Sequence, residues 1–121
     1  MNTLGLTAAV TALLSIWIGH VAVRKVESVS HEIWIPIVAS ITLGLISEYC
    51  SLITGNLHLK IIFGIVGVTL LWDAFEFVRQ QKRIIKGHAP ANRDNPRHAH
   101  ILKEFSSATT LDLLKREPTE N

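Results

Sequence analysis

The chain has 121 residues, enough for one domain; 48% are apolar and only 18% are charged. Its single cysteine, Cys50, excludes an internal disulfide, and the net charge of +2 says less than where the charges fall. No Asp, Glu, Lys or Arg occurs from Thr3 to Val23, one (Glu48) from Ile33 to Leu59, and none from Ile61 to Trp72. That excludes a soluble three-helix core, whose helices would each carry a charged face.

A bilayer core needs ~20 mainly apolar residues per helix, at about 1.5 Å of rise each. Three segments satisfy this: Leu4–Val23, Ile33–Ile53 and Leu57–Val78. The predicted fold class is therefore all-α, an integral membrane protein with three transmembrane helices. Residues 1–86 form the membrane domain and 87–121 a short, polar cytoplasmic tail. The first segment has no basic n-region and exceeds the usual signal length, so it reads as a retained span.

In segment one, Ala8, Ala12, Ser15 and Gly19 form a stripe of small side chains, which in lipid marks a helix contact. The connection Arg24–Glu32 is short, so segments one and two are expected to pack as an antiparallel hairpin. Ser30 is a candidate N-cap for segment two. Trp34 suits the headgroup level, and Pro36 falls in a first helical turn, where a missing N–H does little harm. Segment two has its own small stripe, Ser40, Gly44 and Ser47, and is interrupted by Glu48. Thr54-Gly55-Asn56 is a tight turn. Segment three contains Gly64 and Gly67, then Trp72, Asp73 and Glu76, and passes into a basic run of Arg79, Lys82, Arg83 and Lys86.

Lys and Arg concentrate in the first loop and after Val78. Three crossings put those regions on one side, so the N-terminus is expected outside and the tail in the cytoplasm of a bacterial inner membrane. The basic run is expected to contact anionic lipid headgroups or a partner. It lacks a recognisable fold and interleaved aromatics, so nucleic-acid binding is not supported. In the tail, GHAPANRDNPRHAH is rich in turn formers and is expected to be irregular. LDLLKRE, with Leu111 and Leu114 on one edge and Thr109 with Asp112 as a capping pair, is a candidate short amphipathic helix.

The stretch LLWDAFEFVRQQKRIIKGHAPAN resembles the end of a bacterial family of small three-span membrane proteins, catalogued as a domain of unknown function. The matching positions are Trp72, Glu76, Gln80, Gln81, Arg83, Gly87, Pro90 and Asn92. His88 stands where that family suggests an aromatic residue. The resemblance implies the three-span topology and carries no activity.

Charged groups in a bilayer are costly and are usually paired or functional. By depth along their helices, His20 and Asp73 lie level, with Glu76 one turn on and Arg24 nearby. The cluster His20, Asp73 and Glu76 reads either as a proton relay or as a hydrogen-bonded lock between helices one and three; locking suffices to explain it. Glu48 and Lys60 are expected to pair across the outer turn. No cofactor is expected. His20 and His31 lie near the inner face and His58 near the outer, so no bis-histidine haem site forms within the chain. His98 and His100, with His88, lack the donors of a metal site. No nucleophile–base set supports an enzyme. The function expected is a structural or accessory membrane subunit, associating with itself or with a larger complex. The alternative is a small homo-oligomeric ion or proton channel using intramembrane carboxylates.

Overall fold

A computed structural model describes residues 2–112 and 117–118. In chain order it has α1 (Leu4–Val29), α2 (Trp34–Ile53), α3 (Leu57–Ile85) and α4 (Pro96–Glu104), followed by a two-residue antiparallel pairing of β1 (Leu111–Asp112) with β2 (Glu117–Pro118). The fold is all-α. Its first three helices are long and apolar enough to cross a membrane. Only 11% to 22% of the residues in their most apolar windows are buried inside the molecule, so the rest of that surface suits lipid rather than water.

The three spans form a layer with α3 in the middle. It packs against α1 on one side and α2 on the other, while α1 and α2 scarcely touch. The expected α1–α2 hairpin is thus corrected, and the small-residue stripes explain why. On α2, Ser40, Gly44 and Ser47 are buried. A Cβ on Gly44 would meet the Leu71 side chain at 2.9 Å and the Gly67 carbonyl oxygen at 3.0 Å. Ser47 donates to the carbonyl of Phe63 at 2.7 Å and Ser51 to that of Lys60 at 2.8 Å. On α1, Gly19 is buried against Asp73, whose carboxylate oxygens would lie 3.1 Å from an added Cβ. Both stripes are used on α3, and close backbone approach is what holds helices together in lipid. At the turn end, His58 Nδ1 meets the Thr7 hydroxyl at 2.7 Å, fixing α1 and α3 in register.

The helix ends are set locally. Asn56 caps α3 by accepting from the N–H of Leu59 at 3.1 Å. Ser30 does not cap α2; it closes α1, its hydroxyl and its N–H both donating to the carbonyl of Val26. At the other end of α3, Gly87 adopts φ +79°. Its N–H bonds the carbonyl of Ile84 at 3.1 Å, and that of His88 bonds the carbonyl of Arg83 at 2.8 Å. This is the Schellman pattern, which needs a residue able to take the left-handed conformation.

Two expectations for the tail are corrected. The stretch expected to be irregular contains α4, with Asn95 as N-cap and Pro96 in the first turn. At the start of LDLLKRE, Leu111 and Asp112 are extended in β1, and the Thr109 hydroxyl accepts from the N–H of Leu111 at 3.0 Å instead of opening a helix. Leu114 lies outside the described residues. Residues 87–112 of the tail pack as a cap on the ends of α1 and α3. Its core is Ile84, Ala91 and Ile101, surrounded by Ile85, Ala89, Leu102 and Ala108.

Candidate functional site

The cap is joined to α1 by a buried polar cluster centred on Glu27. At about 1.5 Å per residue, α1 reaches ~39 Å and α3 ~43 Å, while α2 reaches only ~30 Å, the thickness of a bilayer core. Because α1 and α3 both end on the cap side, their last turns project together from the layer. Glu27 lies on the buried face of that overhang, two turns beyond Gly19 and one beyond Val23.

Glu27 and His98 are both fully buried. His98 Nε2 lies 3.0 Å from each carboxylate oxygen of Glu27. Its Nδ1 accepts the N–H of Asn92 at 2.8 Å. That backbone donor fixes the tautomer: Nδ1 carries no proton, so Nε2–H donates to Glu27 and the imidazole is neutral. The negative charge of Glu27 is balanced by Arg97, whose guanidinium is 2.7 Å from Oε2. The same guanidinium donates to the carbonyls of Glu27 (2.6 Å) and Ser30 (3.2 Å) and to Gln81 Oε1 (2.5 Å).

Two asparagines complete the attachment. The Asn95 amide donates to the carbonyls of Ser28 and Ser30, both at 2.9 Å, while its oxygen caps α4 through the N–H of Arg97. Asn92 donates to Ser28 at 3.0 Å. The last carbonyls of a helix have no partner within it. Here the segment from Asn92 to Arg97 supplies those of α1.

His20, Asp73 and Glu76 lie on one side of the α1–α3 contact. Asp73 is within electrostatic range of both His20 and Glu76. Glu76 is buried and pairs with arginines of its own helix, with Arg79 at 2.9 Å and Arg83 at 3.7 Å. His20 is exposed on the groove between the helices, and Arg24 bonds back to its carbonyl at 3.3 Å. In the basic run, Arg79 and Arg83 are committed to Glu76, whereas Lys82 and Lys86 are exposed.

Glu48 and Lys60 do not pair, which corrects the expected outer ion pair. Side chains on a helix lean toward its N-terminus. On antiparallel α2 and α3 they lean in opposite directions, Glu48 into the layer and Lys60 out of it. The Glu48 carboxyl lies against Gly67, where an added Cβ would be 2.5 Å from Oε1. That oxygen is buried with no hydrogen-bond partner among the described residues.

Sequence reasoning missed Glu27, Arg97, His98, Asn92 and Asn95 as one constellation. Two signals were present. Glu27 continues, in steps of four, the α1 stripe that runs from Ser15 through the buried Gly19 and Val23. Asn95-Pro96 is an N-cap followed by proline at the first helical position.

A family model described as a domain of unknown function (DUF4491) matches residues 2–95, and the chain belongs to that family. No curated protein and no solved structure matches it.

Proposed function

We propose that this DUF4491 member is a non-catalytic structural or accessory subunit of a bacterial inner membrane. It holds a rigid cap at the cytoplasmic surface and associates with itself or with a larger membrane complex. The N-terminus lies outside and the cap in the cytoplasm, as the basic residues around α1 and α3 favour. One observation carries the reading. Among the described residues, Glu27, Arg97 and His98 form a largely buried, mutually satisfied set. It fastens the cap to α1 and leaves no group free for substrate. A layer of three helices also leaves broad apolar faces for lateral contact, with Leu13, Leu45 and Leu52 all more than half exposed.

Mass analysis of the full chain, extracted in mild detergent from its native membrane, tests the proposal. A defined assembly larger than one chain, which the cap-loosening Glu27→Ala variant forms less well, is the expected result. A monomer in native membrane extracts refutes it.

The partnerless Glu48 oxygen favours a second reading, a homo-oligomeric ion or proton channel, because a buried unpaired carboxyl is costly and is retained in membranes chiefly at functional sites. Ion flux into liposomes, compared between wild type and Glu48→Gln, decides it. Equal flux removes the channel.

A further inference from the structure

We propose that the groove between α1 and α3 at the cap holds one anionic phospholipid. Two cavities make up this groove. One of about 320 Å³ is lined by Trp17, His20 and Val23, which belong to the apolar span of α1. The other, about 810 Å³, reaches under the cap to His88, Ala89 and Pro90. They share Arg24, Gln80 and Arg83, so the groove runs continuously from bilayer depth past the end of the hydrophobic stretch into the cap. An amphiphile is the ligand such a path fits: Trp17 and Val23 for an acyl chain at the bilayer end, Arg24 and Lys25 for a headgroup beyond it, and a volume within the range of small-molecule sites.

The charge balance selects an anionic headgroup. Glu27 and Glu76 line the groove, but each is held by an arginine from outside it, Arg97 at 2.7 Å and Arg79 at 2.9 Å. What remains is Arg24 and Lys25, with Arg83 shared with Glu76 at 3.7 Å and Asp112 the further acid of the lining. Arg24 and Lys25 form no ion pair among the described residues. Arg24 and Arg83 stand on opposite walls at the junction of the two cavities, where the phosphate of a lipid entering from the bilayer would lie. Lys25 and His88 lie farther along, beside the headgroup substituent. The acyl chains leave along Trp17 and Val23. The proposal rests on the membrane topology and is independent of whether the chain is an accessory subunit.

Native mass spectrometry of the detergent-solubilised full chain tests it, with phosphatidylglycerol and phosphatidylcholine of identical acyl chains as probes. One phosphatidylglycerol per chain is expected to be retained in preference to phosphatidylcholine. In R24Q/K25Q its affinity is expected to fall on the order of thirtyfold. K82Q/K86Q removes the same charge from exposed positions outside the groove and is expected to retain the lipid. All four side chains are exposed, so helix content serves as the folding check for both variants. Equal retention of the two lipids, unchanged affinity in R24Q/K25Q, or an equal loss in K82Q/K86Q overturns the proposal. Displacement of the lipid by millimolar inorganic phosphate also overturns it, in favour of a simple anion site. The readout is a lipid adduct on a single chain, so it can fail or succeed whatever the assembly state.

Discussion

Glu27→Ala is the sharpest perturbation of this structure. It removes the 2.7 Å ion pair to Arg97 and, among the described residues, the only acceptor of His98 Nε2–H. Truncating one partner of a buried charged pair costs about 3–5 kcal/mol, mostly because the other partner is left uncompensated. Arg97 keeps its bonds to two carbonyls and to Gln81, and its side chain is 13% exposed, so water recovers part of the loss. The low end, about 3 kcal/mol, is therefore expected, which raises the population of the undocked cap about 150-fold. Hydrogen exchange with the protein in nanodiscs measures this directly. The informative amides are Ala91, bonded to the carbonyl of Thr109, Asn92, bonded to His98, and Ala99, bonded to the carbonyl of Asn95. They are expected to lose protection together, while mid-span amides of α3 keep theirs. Glu104→Ala is the control, since Glu104 and His100 form an exposed pair of the kind that contributes little. If the cap amides of Glu27→Ala exchange within about threefold of wild type, well short of the opening derived from buried-pair energetics, the lock does not run through Glu27.

Four further substitutions test the packing. Gly87→Ala combines a left-handed backbone with a Cβ that would collide with the Ser107 carbonyl oxygen, so the cap is expected to loosen by at least ~1–2 kcal/mol, read by the same exchange experiment. Gly44→Ala presses a methyl onto Leu71 and the Gly67 carbonyl, and is expected to weaken α2–α3 association by about 1–3 kcal/mol in denaturing-detergent titrations. Gly67→Ala meets the Glu48 side chain on α2 first, so Glu48→Ala is expected to rescue it; a double mutant no more stable than Gly67→Ala alone contradicts that contact. Thr7→Val removes one interhelical hydrogen bond to His58 and is expected to cost only about 0.6 kcal/mol, because unfolded helices in a membrane also find partners.

The three spans were legible in the sequence because the bilayer imposes a one-dimensional rule, length without charge, that needs no knowledge of contacts. The small-residue stripes were legible too, but not which helix each would meet. Adjacency in sequence argued for α1 on α2, whereas Gly67 and the Gly19-facing side of α3 offered close approach to both. Depth along a helix placed Glu48 and Lys60 together, and the lean of side chains toward each helix N-terminus separated them. The cap was obscured by residue types with two uses. Asn and Pro mark turns, and in the order Asn95-Pro96 they also start a helix. Arg24 to Val29 looked like a loop because charge ends a membrane span, yet charge does not end a helix. The stretch resembling the family includes Gly87 and Asn92 among its matching positions, and the structure gives them work: Gly87 closes α3, and Asn92 ties the cap to both α1 and His98.

The division of chemistry along this molecule follows from its unequal helix lengths. Within the ~30 Å that α2 spans, the helices are joined mainly by close backbone approach and by hydroxyls donating to carbonyls, with the carboxyls of Asp73 and Glu48 packed against Gly19 and Gly67. Glu27 lies ~35 Å along α1, beyond that thickness. There a carboxylate can be sealed against an arginine whose outer edge still meets water, at far lower cost than in hydrocarbon. The overhang of α1 and α3 thus allows a charged lock, and the cap makes that overhang necessary, since it needs two helix ends on the same side to sit on. The boundary between these two regimes falls at Arg24 and Arg83, the cationic residues that both cavities of the α1–α3 groove share.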